Sequence, residues 1–122
     1  MATSESFKDF VLECLERANA EFGGKFTFSA RKMFGEYCVY VNDGVQKPIF
    51  LLCDEVVFVK KFAPLGEFVA QNAACFDVGY PYEGAKEHYS IDIENTEFLA
   101  TLLQILIPLC PTPKGKSKKK RI

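Results

Sequence analysis

The chain has 122 residues, 48% hydrophobic and 25% charged, which corresponds to one domain and excludes a wholly disordered chain. The net charge of −1 hides a split: residues 1–113 carry nine basic and sixteen acidic groups, whereas residues 114–122 carry six basic groups and no acid. An acidic body repels nucleic acid phosphates and a basic end attracts them. We therefore expect a folded domain over residues 1–113 and a disordered basic tail over residues 114–122.

The first element along the chain is predicted to be an amphipathic helix. Ser4 or Ser6 supplies its N-cap, and the pair Gly23-Gly24 ends it. Its apolar residues recur with the i, i+3, i+4 spacing that places them on one helix face; they are Phe7, Phe10, Val11, Cys14, Leu15, Ala18 and Phe22. That face should pack against the core.

The middle of the chain is predicted to be β-structure. Strands are expected over residues 26–30, 37–41, 48–53 and 56–60, with a bend at residues 33–35 and tight turns at residues 42–44 and 54–55. Pro48 is placed at the start of its strand, where no ladder donor is needed. Because strands joined by such short turns cannot be parallel, we expect an antiparallel meander.

The last third completes the predicted fold. A short helix from Pro64 to about residue 72 precedes strands over residues 75–78 and 88–93, and Asn95 caps a closing helix. The order of helix, four strands, helix, two strands and helix predicts an α+β two-layer sandwich, an antiparallel sheet with helices packed on it. The longest apolar stretch, residues 98–110, is too short to span a bilayer, so we expect a cytoplasmic protein with no membrane partner.

The five cysteines do not form a recognisable site. Their spacing contains no C-x-x-C pair and no zinc pattern, so we predict neither a metal site nor a cofactor. Apolar neighbours indicate buried, reduced thiols in a reducing compartment. A reactive role for one of them would need a lowered pKa. The cysteines are Cys14, Cys38, Cys53, Cys75 and Cys110.

His88 is the single histidine, and it is the basis of the weakest functional hypothesis, a small enzyme. Ser90 would share its strand face, but no nucleophile elbow surrounds that serine, and Glu87 would lie on the opposite face. The acidic pairs, at residues 54–55 and at residues 92 and 94, are typical of turns and helix entries. We therefore predict no catalytic residues.

Two basic segments are candidate binding sites. In the first, cations beside aromatic residues suit a phosphate, a nucleic acid strand or an acidic partner, although Met33 and Phe34 could instead close one end of the core. Its candidate residues are Arg31, Lys32, Met33, Phe34, Gly35 and Tyr37. The second is the tail, which could contact phosphates without reading sequence, bind an anionic lipid surface or stay solvated. Its candidate residues are Lys114, Lys116, Lys118, Lys119, Lys120 and Arg121.

The pattern Arg31-x-Met33-Phe34-Gly35-x-Tyr37, followed by strands at residues 48–51 and 56–60, resembles the TfoX N-terminal domain family of competence regulators. The resemblance covers about residues 7–110. It implies an α+β domain with an antiparallel sheet in a bacterial cytoplasmic protein, and it assigns no catalytic residue. Glu36 and Cys38 stand where the family pattern has glycines, and we expect a single-domain member without the family's second, C-terminal domain.

Together these features favour a non-enzymatic regulatory or protein-interaction module, related to transcription, that docks a protein partner on its sheet or on residues 31–37. The alternative is a direct nucleic-acid-binding protein that uses the lysine tail with Arg31 and Lys32, or binds nucleic acid weakly and non-specifically through the tail alone. An exposed edge strand would also allow two copies to pair as a homodimer.

Overall fold

The computed structural model describes residues 3–33, 36–42 and 44–110. The three helices are α1 (Glu5–Glu21), α2 (Gly66–Gln71) and α3 (Thr96–Leu106). The strands are β1 (Thr27–Met33), β2 (Glu36–Asn42), β3 (Gln46–Cys53), β4 (Val56–Val59), β5 (Phe76–Gly79) and β6 (His88–Ile91). This order confirms the predicted sequence of elements, whereas the tail over residues 114–122 lies outside the described residues.

The helix ends follow the predicted capping residues. The Ser4 side chain, rather than that of Ser6, accepts from the backbone N–H of Phe7 at 3.1 Å and so begins α1. At the other end Gly23 has a φ of 66°, which glycine adopts without strain, and the chain leaves the helix there. Asn95 caps α3 through its side-chain oxygen, which accepts from the Phe98 N–H at 3.1 Å.

The strands form one antiparallel sheet in the order β1-β2-β3-β4-β6-β5, so the predicted meander is confirmed and also includes β1. Asp54 and Glu55 form the turn between β3 and β4 with φ values of 53° and 61°. Two successive positive values are the mark of a type I′ hairpin, which matches the right-handed twist of the strands it joins. The edge strands are β1 and β5.

The prediction that Pro48 begins its strand is wrong. β3 begins at Gln46, and Pro48 lies inside a central strand of the sheet. The register shows why proline is tolerated there: Val39 lies opposite Phe50 and Tyr40 lies opposite Pro48, which leaves Ile49 as an extra residue in a β-bulge. A bulge interrupts the ladder locally, and within sheets proline is found at such positions because it has no N–H to donate.

The core lies between one face of the sheet and the helices, which confirms the α+β two-layer fold. α1 packs against α3, and their apolar stripes meet alternate residues of the strands, such as Val39 and Val41 of β2. The buried residues of α1 belong to the predicted stripe, but the prediction that Phe10 faces the core is wrong, since Phe10 is 37% exposed and lies at the edge of that stripe. The buried residues of the two long helices include Val11, Leu15, Ala18, Leu99, Leu102, Leu103 and Leu106. Within the described ranges, no helix combines the length and the apolar character needed to cross a membrane.

Candidate binding face of the sheet

The side of the sheet turned away from the helices carries a continuous row of side chains. Arg31, Cys38, Leu51, Phe58 and Ser90 are successive cross-strand partners from β1 to β6. Because side chains alternate along a strand, these residues share one face, opposite the core positions of the same strands. We call this surface the open face. Its centre is apolar, and a guanidinium group stands at its β1 end.

A second group on the open face borders the turn between β3 and β4. Met33 of β1 and Val56 of β4 are both exposed, at 38% and 36%. Met33 and Cys53 line a depression of about 580 Å³ together with Leu51 and Tyr82, which comes from the loop between β5 and β6. The open face therefore presents apolar surface that no helix of the described chain covers.

The structure divides the predicted segment over residues 31–37 between the two faces of the sheet. Arg31 and Met33 belong to the open face. Lys32 is paired with Tyr37 on the other side, and Tyr37 is only 9% exposed and belongs to the core, although it also lines the depression beside Met33. The structure therefore does not bring Arg31 and Lys32 together, while Phe34 and Gly35 lie outside the described residues.

Arg31 is held against its neighbours on the open face. Its guanidinium carbon lies 5.7 Å from the ring centroid of Tyr40, a cation–π contact that leaves the charge close to the apolar row. Burial raises the pKa of the Cys38 thiol, and the nearby Tyr40 hydroxyl and Arg31 charge offset that effect only in part. Cys38 is therefore a neutral, apolar part of this face at physiological pH.

Glu36 has a structural role that sequence reasoning missed. Its Oε1 atom accepts from the backbone N–H of Thr3 at 3.1 Å, from the Thr3 hydroxyl at 2.7 Å and from the Asp54 N–H at 3.3 Å. Thr3 Oγ1 in turn accepts from the Glu55 N–H at 3.2 Å. Glu36 thus ties the start of the chain to the β3–β4 turn. The sequence signal for this role was that Glu36 replaces a glycine of the TfoX pattern, but that replacement did not indicate Thr3 and Asp54 as its hydrogen-bond partners.

A second cavity lies where β4 separates from β3. β4 pairs with residues 51–53 of β3 only, so the half of β3 that holds the bulge has no neighbouring strand on that side. The gap is a cavity of about 190 Å³. Its walls are mainly apolar and include Cys38, Pro48, Leu51, Phe58 and Phe62, together with the polar residues Lys60 and His88.

His88 is held by the backbone rather than by a carboxylate. Its Nδ1 atom lies 2.7 Å from the carbonyl oxygen of Lys86, and since a carbonyl only accepts, Nδ1 carries the proton. The Glu87 carboxylate accepts from Lys61 Nζ at 2.6 Å instead. No hydrogen bond joins His88 to Ser90 in the part of the chain that is described. Among the described residues, no carboxylate is hydrogen-bonded to the imidazole in the way that commonly orients a general base.

Burial disfavours the thiolate form of the four buried cysteines. Burial raises the pKa of Cys53 and of Cys110 to about 11, and it also raises the pKa of Cys14. Four of the five cysteines are buried, as expected, while Cys75 is half-buried. Among residues 3–33, 36–42 and 44–110, no group of three or more His, Cys, Asp and Glu side chains is placed to hold a metal ion.

Comparison with known proteins gives one relative of nearly equal length. The chain is 29% identical over 121 residues to a protein of Spirochaeta aurantia named "Uncharacterized 12.7 kDa protein in trpE 5′ region". The alignment spans 98% of this chain and 93% of that protein. No family model matches the chain. No solved structure matches it either.

Proposed function

We propose that this chain is a non-enzymatic protein-interaction module, with a regulatory role related to transcription of the kind that the TfoX resemblance implies. The partner docks on the open face. The observation that supports this most strongly is the exposure of Met33 and Val56, which are 38% and 36% exposed at the border of the apolar row, whereas within the row Leu51 is half-buried and Cys38 and Phe58 are buried. Exposed apolar surface such as that of Met33 and Val56 is typical of interaction sites.

The charges around the row favour a partner segment that combines apolar and acidic side chains. Arg31 stands beside the row on β1 and Lys60 follows β4, so cations flank the apolar centre on two sides. Of the acidic residues on this face, Glu36 is already engaged by Thr3 and Asp54, and the exposed Asp77 lies beyond Ser90 on the edge strand β5. Complementary charge would steer such a partner to the open face although residues 1–113 carry a net charge of −7.

The side-chain chemistry of His88 and of the cysteines supports a binding role over a catalytic one. His88 is oriented by the Lys86 carbonyl, and the raised pKa values of Cys53 and Cys110 keep both thiols protonated near neutral pH. A binding surface needs neither a general base nor a nucleophile, whereas an enzyme of this size would need at least one activated group.

A matched set of surface variants tests this proposal. Met33→Glu with Val56→Glu places two charges on the open face, whereas Phe10→Glu changes an equally exposed residue of α1; the three residues are 38%, 36% and 37% exposed. We expect the wild type and Phe10→Glu to retain the same specific protein from a lysate of the source cells, and the double variant to lose it. Equal retention by all three, or no specific partner at all, would contradict the proposal.

A further inference from the structure

The cavity beside the β3 bulge is a preformed apolar space. It exists because β4 ends at Val59 and pairs only with the last three residues of β3, whereas β3 begins at Gln46. No strand therefore fills the space next to Pro48. Its volume of about 190 Å³ equals that of roughly six water molecules in the bulk liquid. Apolar walls such as Leu51, Phe58 and Phe62 give water few hydrogen-bonding partners. A small apolar group would therefore occupy this space more favourably than water.

Cations meet at one side of the cavity. Lys60 and His88 line the cavity and also an adjoining depression of about 310 Å³, whose other charged residues are Lys61, Lys86 and Glu87. Lys61 and Glu87 neutralise each other through their 2.6 Å contact. Lys60 is exposed and forms no ion pair within the described residues. The boundary between cavity and depression therefore has a net positive charge.

His88 adds a second polar group whose position is fixed. Its Nδ1–H donates to the Lys86 carbonyl at 2.7 Å. The rings of His88 and Phe58 form a T-shaped contact, with their centroids 6.5 Å apart. The other ring nitrogen, Nε2, has no hydrogen-bond partner among the described residues. It can donate to an anion in the imidazolium form. Lys60 and His88 thus border the same apolar space.

From this arrangement we infer that the cavity is a binding site for a small carboxylic acid with a compact apolar body. The body fills the space against Leu51, Phe58 and Phe62, and the carboxylate lies at the boundary, where Lys60 and His88 form charge-assisted hydrogen bonds to it. The cavity is smaller than the sites that hold drug-sized ligands, which limits the body to about the size of a phenyl ring with a short chain. The inference rests on the cavity itself and not on the proposed docking function, although Cys38, Leu51 and Phe58 belong both to the cavity wall and to the apolar row of the open face.

The single histidine makes the test direct, because the Cε1–H resonance of His88 is unique in an untagged chain. We propose to titrate phenylpropionate at constant pH and follow this resonance by NMR. Phenylpropanol, which has the body without the charge, and acetate, which has the charge without the body, are the controls. We expect a saturable shift for phenylpropionate with a Kd of roughly a millimolar or tighter, and weaker binding of both controls.

Two variants separate the cation from the cavity. Lys60→Ala should raise the Kd roughly threefold to tenfold, the range between an exposed ion pair and a charge-assisted hydrogen bond. Lys25→Ala, which removes an exposed lysine between α1 and β1, should leave the Kd unchanged. Cys38→Leu enlarges a side chain in the cavity wall and should abolish binding. If Cys38→Leu fails to fold, the comparison of the two lysine variants decides.

Several results would overturn the inference. They are the absence of saturation at about 10 mM phenylpropionate, equal binding of phenylpropanol, and equal Kd values for Lys60→Ala and Lys25→Ala. An apolar group next to a carboxylate also occurs at the C-terminus of a protein, so a peptide that ends in phenylalanine with a free carboxylate is the second probe. Binding of the free acid at least as tight as that of the peptide supports a small-molecule site. Binding of the peptide alone overturns it.

Discussion

Replacing Glu36 by alanine should destabilise the fold strongly although the residue lies at the start of a strand near the surface. The change removes the oxygen that accepts from the Thr3 N–H, the Thr3 hydroxyl and the Asp54 N–H, and leaves the hydroxyl with the Leu52 carbonyl at 3.1 Å as its remaining acceptor. A hydrogen bond to a charged acceptor contributes about 1.5–3 kcal/mol, but these three share one atom and are not additive. Thr3 is only 4% exposed, so its polar groups cannot simply return to water. We expect a loss of about 2–3 kcal/mol in the free energy of unfolding.

The measurement is urea unfolding followed by circular dichroism, with the midpoint and the m-value fitted separately. Glu36→Ala should lower the midpoint at an unchanged m-value. Glu36→Gln, which keeps one carbonyl oxygen as an acceptor, should lose about half as much. Glu83→Ala, which removes an exposed acid from the loop between β5 and β6, is the matched control and should lie within about 0.5 kcal/mol of the wild type. If Glu36→Ala is no less stable than Glu83→Ala, the reasoning about this network is wrong.

Three further predictions follow from the same structure. Asn95→Ala removes the N-cap of α3 and should cost about 1 kcal/mol in the same urea experiment, whereas an unchanged midpoint would show that this cap contributes nothing. Iodoacetamide at pH 8 should label the half-buried Cys75 first, because a pKa of about 11 leaves Cys53 and Cys110 with roughly a hundredth of the thiolate of an ordinary cysteine. The labelling of Cys53 should rise with pH, and mass spectrometry that finds Cys53 labelled first at pH 8 would contradict this prediction. Fluorescence anisotropy with duplex DNA should detect salt-sensitive binding by the full chain and none by residues 1–113, and binding by the truncated chain would favour the nucleic-acid alternative.

The helices and turns could be predicted from the sequence because their signals are local. The i, i+3, i+4 spacing predicted the buried face of α1, although not the exposure of Phe10 at its edge, and capping residues such as Ser4 and Asn95 act within one turn of the backbone. The turn at Asp54 and Glu55 also depends on adjacent residues only. The fold class followed from the order of these elements, since their lengths and connections allow few arrangements.

The candidate site could not be predicted in the same way, because it depends on pairing between distant residues. A bulge at Ile49 follows from the register between β2 and β3, and the cavity beside it from the early end of β4. The separation of Arg31 from Lys32 reflects the extension of β1 through both residues, which the apolar pattern over residues 26–30 did not indicate. Glu36 was visible only as an exception to a family pattern, since its partner Thr3 is 33 residues away in the chain.

The central claim, that the open face is the docking surface, is tested most directly by site-specific photo-crosslinking in the source cells. A photoreactive amino acid would replace Met33 or Val56 on the open face, or the equally exposed Phe10 on α1. We predict the same protein adduct from positions 33 and 56 and none from position 10. An adduct from Phe10 alone would place the partner on the helical layer, and no adduct from any position would contradict a protein-docking role for this surface.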